Sequence, residues 1–384
     1  MDFDLGVELD AFRESVRAFA EKEIGPLVEE AEATERTPME IFKKAGDAGF
    51  LGIRYPEEVG GSAATVLAET ILREELAGVC SGIAAALSVS SHLGTYPIHA
   101  FGNAEQQQRY LVPALQGAKV SAFALTEPQA GSDVRGIRTR ATKQGDGWVL
   151  KGRKTFITNA TIADFMIVVA YTDPDAGIEG MGLFIVDLPN EDVAITRIKK
   201  MGHLSSEIGE IALDDVVVPD EACLGGPRGA WKRVMSTLGI GRAVVSGGAI
   251  GVGRAAIDLA VEYAKDREAF GAPIGSYQGI SFPLARAHAE LEAARLAVYR
   301  AAWLFDQGRD PVEEVSAAKY LAGEAALQAV DTAIRVFGGY GYMREYPIER
   351  LYRDARYFAI VEGTGEIHQR VMASRLGLGK SRRD

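Results

Sequence analysis

A chain of 384 residues, 47% hydrophobic and 25% charged, has the material for two or three packed domains and is neither a disordered nor a fibrous polymer. Its formal net charge of −11 argues against nucleic acid or an anionic bilayer as partner, leaving room only for local basic patches that meet a small phosphorylated ligand. Cys80 and Cys223 cannot make a disulfide framework, the scattered histidines lack metal-site spacing, and neither an export signal nor a bilayer-spanning run is read, so a cytoplasmic location is the expectation.

From Glu8 to Ile24, apolar residues recur at helical spacing (Leu9, Phe12, Val16, Phe19) and Pro26 stops the pattern. The same periodicity over Pro38–Ala48, Ala64–Leu76 and Glu105–Leu115 predicts an α-helical domain at 1–118. Short β-rich runs follow at Val120–Leu125, Trp148–Lys151, Phe165–Tyr171, Gly182–Val186, Val193–Ile198 and Ile211–Val218. Turn formers such as Gln144-Gly145-Asp146-Gly147 divide them, and the spacing predicts a small antiparallel β-barrel or sandwich at 119–226. Patterns rich in Ala, Leu and Glu then run through Trp231–Lys265, Ser281–Gln307, Pro311–Phe337 and Glu366–Leu376, an antiparallel four-helix bundle at 227–384. The fold class is therefore α+β, mainly α, ending in a charged, frayed tail from Lys380.

Chemistry is expected at few places. Gly248-Ala249-Ile250-Gly251-Val252-Gly253 has the wrong glycine order for a dinucleotide loop and no strand before it, so close helix packing is the reading. Glu362 follows the apolar run Tyr357–Val361 and precedes Gly363-Thr364 at the entrance of the last helix. Apolar surroundings disfavour the charged carboxylate and raise its pKa toward the range useful for proton abstraction; a plain helix-end acid is the other reading. Phe123–Asp133 joins a strand to a polar, glycine-bearing loop able to offer N–H groups and hydroxyls to a flat ring and to phosphates, or is merely a strand–loop join. In Lys154–Ala160, Phe156 and Thr158 share one face of a strand.

Thr126-Glu127-Pro128-Gln129-Ala130-Gly131-Ser132-Asp133, Phe156-Ile157-Thr158-Asn159, Asp266-Arg267, Phe270-Gly271, Pro273-Ile274, Gly338-Gly339-Tyr340-Gly341-Tyr342, Arg353-Asp354-Ala355-Arg356 and Glu362-Gly363-Thr364 come in one characteristic order. In that order, over nearly its whole length, the chain resembles the acyl-CoA dehydrogenase family of flavoenzymes. The resemblance implies FAD between barrel and bundle, held by Phe123, Leu125, Thr126, Gly131 and Ser132, with Phe156 and Thr158 near the ring. Thr364 and Glu366 would touch it too, and Arg335 sits at its edge. Arg267, Phe270, Gln278, Gly338 and Gly339 would reach the FAD of a neighbouring subunit, implying a homotetramer. Glu362 matches the catalytic base that removes the α-proton of an acyl thioester while the β-hydride passes to flavin. Ser132, Arg242 and Gly363 would meet the substrate, and the thioester carbonyl would accept from the base's own N–H. Relatives that carry the base on another helix place it where this chain has Gly241.

Four residues depart from the family pattern: Gly239 for an acid, Val361 for an aromatic, Arg335 for glutamine and Gly365 for Ser or Asn. Gly239 and Val361 keep the substrate open between acyl-CoA and an acyl or aminoacyl group on a carrier protein. The acceptor stays open between electron-transfer flavoprotein and oxygen. A flavin monooxygenase, or a non-catalytic acyl-binding scaffold, are rival readings that an intact Glu362 argues against.

Overall fold

The computed structural model describes residues 5–379; the tail from Lys380 and the first four residues lie outside them. The N-terminal helices are α1 (Gly6–Phe19), α2 (Val28–Thr34), α3 (Glu40–Asp47), α4 (Val66–Ser88), α5 (Tyr96–Phe101), α6 (Ala104–Gln106) and α7 (Val112–Leu115). α4 outruns the predicted Ala64–Leu76 because Ala77 to Leu87 is buried nearly all round, so no polar face marks the period there. It is broken at Cys80 (φ −151°, ψ 103°) and continues into a π-helical turn, Val89–Leu93.

The strands are β1 (Ser121–Ala124), β2 (Arg140–Gln144), β3 (Gly147–Thr158), β4 (Phe165–Tyr171), β5 (Met181–Asp187), β6 (Val193–Arg197) and β7 (Ile208–Pro219). Their order is β1-β4-β2-β3-β7-β6, with β5 on β4. The expected closed antiparallel barrel is corrected: the sheet is curled but open, and β1 pairs with β4 in parallel. Two register shifts in β3, at Leu150/Gly152 and Lys154/Ile157, bend the sheet, and a helix takes the place of a closing strand. The Ser121 N–H donates to Ser90 Oγ at 3.1 Å, and Asn159 Nδ2 donates to the Ala86 carbonyl at 2.9 Å. The first bond satisfies the open edge from the π turn, and the second ties the end of β3 to α4.

α8 (Ala230–Asp266) leads through a small hairpin, β8 (Glu268–Ala269) and β9 (Ala272–Pro273), to α9 (Gln278–Asp306) and α10 (Val312–Phe337). α11 (Ile348–Phe358) and α12 (Gly365–Arg375) follow. The expected four helices thus become three long and two short. α11 hid behind its charged Arg353–Arg356 stretch, although Ile348, Leu351, Ala355 and Phe358 form one buried stripe. The glycines of α8 do serve helix packing: a Cβ at Gly247 would lie 2.4 Å from the Thr70 carbonyl oxygen, and one at Gly251 2.0 Å from that of Glu74. Contrary to the expectation of no spanning run, Val66–Phe101 and Ala230–Asp266 are long and apolar enough to cross a bilayer. In each, 72% of the apolar window is buried against the rest of the protein, where it builds the core.

Candidate active site

Glu362 lies in the turn between α11 and α12, in the left-handed region (φ +53°), with Gly363 at φ +107°. A non-glycine residue held there stores strain of about 1–3 kcal/mol, a cost concentrated at functional sites. The turn aims the carboxylate at α8. A Cβ at Gly241 would stand only 2.6 Å from Glu362 Oε2 and 3.4 Å from His92 Cδ2, so the missing side chain at 241 is the space the carboxylate fills. Oε2 is sealed from solvent without a hydrogen-bond partner. Burial raises the Glu362 pKa to about 7, against the pull of Lys319, Arg242 and Arg73. The loop is pinned from behind: Arg242 Nε donates to the Glu362 carbonyl oxygen at 3.2 Å, and the Lys319 ammonium to that of Phe358.

The sheet residues gather on a second wall. The Thr155 N–H donates to the Thr126 carbonyl oxygen at 2.9 Å, which seats the Thr126–Asp133 loop against β3. Beside it Phe156 is 64% exposed with φ +59°, an apolar ring held outward on a strained backbone. Among the described residues, the hydroxyls of Thr126, Ser132 and Thr158 make no hydrogen bond, and a Cβ at Gly131 would meet nothing within 4 Å. An exposed aromatic flanked by free hydroxyls and an open glycine backbone suits a flat ring with a hydrogen-bonding edge, so the residues present fit a flavin. Phe123 and Leu125 lie buried on and just after β1. β1 borders the π turn carrying His92, which joins this wall to Gly241 and Glu362. Thr364 is the N-cap of α12, and Glu366 is exposed in its first turn.

The other expected cofactor residues lie elsewhere. Arg267, Gly338 and Gly339 line a groove of about 460 Å³ with Tyr263, Tyr340 and Met343. Phe270 is 97% exposed at φ +54°, Gln278 is exposed at the start of α9, and Arg335 pairs with Asp331 at 2.9 Å. Along the continuous α8, Arg242 and Arg267 are separated by about 37 Å of helix rise. Arg267, Gly338 and Gly339 therefore lie too far from Arg242 for one flavin ring to meet both groups.

Three family models cover the chain in succession: acyl-CoA dehydrogenase N-terminal domain at 7–118, middle domain at 122–216 and C-terminal domain at 229–377. The chain belongs to the acyl-CoA dehydrogenase family. It is therefore an oxidoreductase of the class acting on CH–CH groups, and FAD is the family's cofactor. A 3-(aryl)acrylate reductase of Clostridium sporogenes is 44% identical, over 96% of this chain and 98% of that one. The caffeyl-CoA reductase–Etf complex subunit CarC of Acetobacterium woodii is 41% identical, over 95% and 97%. Among solved acyl-CoA dehydrogenases, butyryl-CoA dehydrogenase from Megasphaera elsdenii superposes with a TM-score of 0.94 at 38% identity, covering 98% of this chain and all of that one.

Sequence reasoning passed over several residues of this site. Glu127, buried in the Thr126–Asp133 loop, accepts from Arg138 N, Thr139 N, Thr139 Oγ1, Gln129 Nε2 and Lys154 Nζ. Burial pushes its carboxyl up, but Lys154 and the hydrogen-bond donors outweigh that and hold it at about 2. His92, one of the scattered histidines, is buried; its Nε2 lies 3.0 Å from the Thr237 carbonyl oxygen, and Arg54 Nη2 lies 3.0 Å from its Nδ1. No spacing in the chain links positions 54, 92 and 237, so only the tertiary structure could reveal the set.

Proposed function

We propose that the enzyme α,β-dehydrogenates an acyl thioester, acyl-CoA before a carrier-bound acyl group, with Glu362 as base. The observation that carries this reading is a carboxylate with one oxygen sealed and unpartnered, poised near neutrality beside the wall that fits a flavin. Bound FAD supplies the acceptor for the β-hydride. Glu362 Oε2 takes the α-proton, and the strained turn fixes its direction. The Glu362 N–H is available to the thioester carbonyl, and Arg242 holds the loop through the Glu362 carbonyl oxygen. Phe156 and the Thr126, Ser132 and Thr158 hydroxyls seat the ring. The remote groove with Arg267, Gly338 and Gly339, together with Phe270 and Gln278, serves the FAD of a neighbouring subunit in a homotetramer. The domain limits 1–118, 119–226 and 227–384, a cytoplasmic location and electron-transfer flavoprotein as acceptor belong to the same reading.

Purified yellow protein should bleach anaerobically when a saturated acyl thioester is added. The base must be ionised, so kcat/KM should fall about tenfold per pH unit below about 7 and level off above it. Protein that cannot be reconstituted with FAD, or that no acyl-CoA or carrier-bound acyl thioester bleaches, sinks the proposal. Gly241→Ala should cost about 10²-fold in kcat, because the new Cβ displaces the carboxylate. Flavin content should stay unchanged; an undiminished rate would show that the carboxylate does not work from this position.

A further inference from the structure

One short segment touches both halves of the site. The turn Val89–Leu93 is π-helical, closed by the Gly94 N–H on the Val89 carbonyl oxygen at 2.9 Å, and π turns of this kind gather at functional sites. Its Ser90 goes to the sheet: Oγ accepts from the Ser121 N–H at 3.1 Å, and the Ser90 carbonyl oxygen accepts from Ser121 Oγ at 3.2 Å. Its His92 goes to α8, with Nε2 3.0 Å from the Thr237 carbonyl oxygen. A carbonyl only accepts, so Nε2 carries the proton, and Nδ1 is left to accept from Arg54 Nη2 at 3.0 Å. The ring is therefore the neutral imidazole, and burial holds its pKa below the usual histidine range.

The face of the ring stacks on Tyr96, centroids 5.7 Å apart and planes 14° from parallel, and Arg54 is itself held by Glu69 at 2.7 Å. Two nitrogens and one face are thus fixed. The edge left over, Cδ2, lies 3.4 Å from where a Cβ at Gly241 would stand, and Glu362 Oε2 lies 2.6 Å from the same point. Packing alone does not ask for this set. An apolar side chain at 92 would fill the space without drawing a polar ring, an arginine and a glutamate out of water. What a ring tied at both nitrogens adds is a wall that cannot swing aside. We propose that His92 is a positioning residue for the base: it confines the Glu362 carboxylate to the notch at Gly241, on a turn whose Ser90 end ties that notch to the sheet wall. Displacing a reacting group by about 1 Å can slow a reaction about 10²-fold, so a rigid wall here bears on rate. The inference rests on the dehydrogenase reading above and adds to it a residue that acts through Glu362.

The test compares FAD-loaded native enzyme with His92→Ala and His92→Gln, using His92→Asn if the alanine variant does not fold. The Glu362 carboxyl is titrated without substrate by carbon-13 NMR of labelled glutamate and assigned with Glu362→Gln. Opening the wall gives the carboxylate room and lets water reach it, so in the alanine or asparagine variant it should titrate at least about one pH unit below its native value of about 7. The groups that face Glu362 stay in place: Lys319 of α10, Arg242 of α8, Arg73 and Glu69 of α4, Tyr357 of α11 and His368 of α12. His92 carries no charge, so the shift reports the wall. With a bleaching acyl thioester, kcat should fall about tenfold to a hundredfold while KM changes less than about threefold. His92→Gln, whose amide can still donate to Thr237, should lose less, and imidazole added to the alanine variant should restore part of the rate and of the titration. A folded alanine or asparagine variant with native titration and native kcat would overturn the inference. A lowered titration in protein that no acyl thioester bleaches would leave His92 its role and sink the dehydrogenation; bleaching at the native rate with an unmoved titration would do the reverse.

Discussion

Glu362→Gln is expected to slow anaerobic flavin bleaching at least about 10³-fold, within the range that a general base contributes. The substitution keeps the shape of the side chain and removes only its ability to take a proton. Flavin content should be unchanged, since the hydroxyls and the aromatic proposed to seat the ring lie on another wall. Stability above neutral pH should hold or rise. Burial raises the Glu362 pKa above its unfolded value, so ionising this carboxyl weakens the folded state as pH climbs through about 7, and the amide escapes that cost. A glutamine variant that still bleaches at more than about a tenth of the native rate would remove Glu362 from the mechanism.

Lys154→Met is expected to destabilise the protein by about 3–5 kcal/mol, the cost of stripping one partner from a buried ion pair. Lys154 is 1% exposed and Glu127 3% exposed, 2.8 Å apart, and among the described residues no other cation bonds to Glu127. The carboxylate would stay buried with only neutral donors. The depressed carboxyl keeps the pair ionised at neutral pH, and its contribution fades as pH falls toward about 2. Burial holds the Lys154 ammonium down at about 8, so the pair weakens above that pH. Because Glu127 anchors the Thr126–Asp133 loop, the variant should also release flavin more readily. Denaturant unfolding of the holoenzyme measures the first effect and FAD retention on dilution the second. Adding Glu127→Gln to Lys154→Met should recover most of the loss. A single-variant cost below about 1 kcal/mol, the range of an exposed pair, would refute a buried clamp.

The parts of the fold that announce themselves locally were legible. Long amphipathic helices and the fully buried β4 leave clear periods, and the expected Phe165–Tyr171 matches the strand found. What failed did so for identifiable reasons. Barrel closure is a long-range property; here Ser90 meets the open edge at Ser121, and no strand pattern carries that contact. β2 escaped notice because Arg140-Ala141-Thr142-Lys143-Gln144 buries only Ala141. In the site, Glu362 could be named because it interrupts an apolar run just before glycine. Arg73 could not, for an arginine in a helix pattern reads as solvent-facing until the second half of α4 folds over it.

The contact between Gly241 and Glu362 has a consequence for how this architecture can change. Two positions compete for one volume, so a chain cannot carry a carboxylate side chain at both without displacing the first. Moving the base from the loop to α8 by single substitutions must therefore pass through a chain with a crowded base or with none. Where the base stands is thus fixed jointly by positions 241 and 362, and neither can change in size alone.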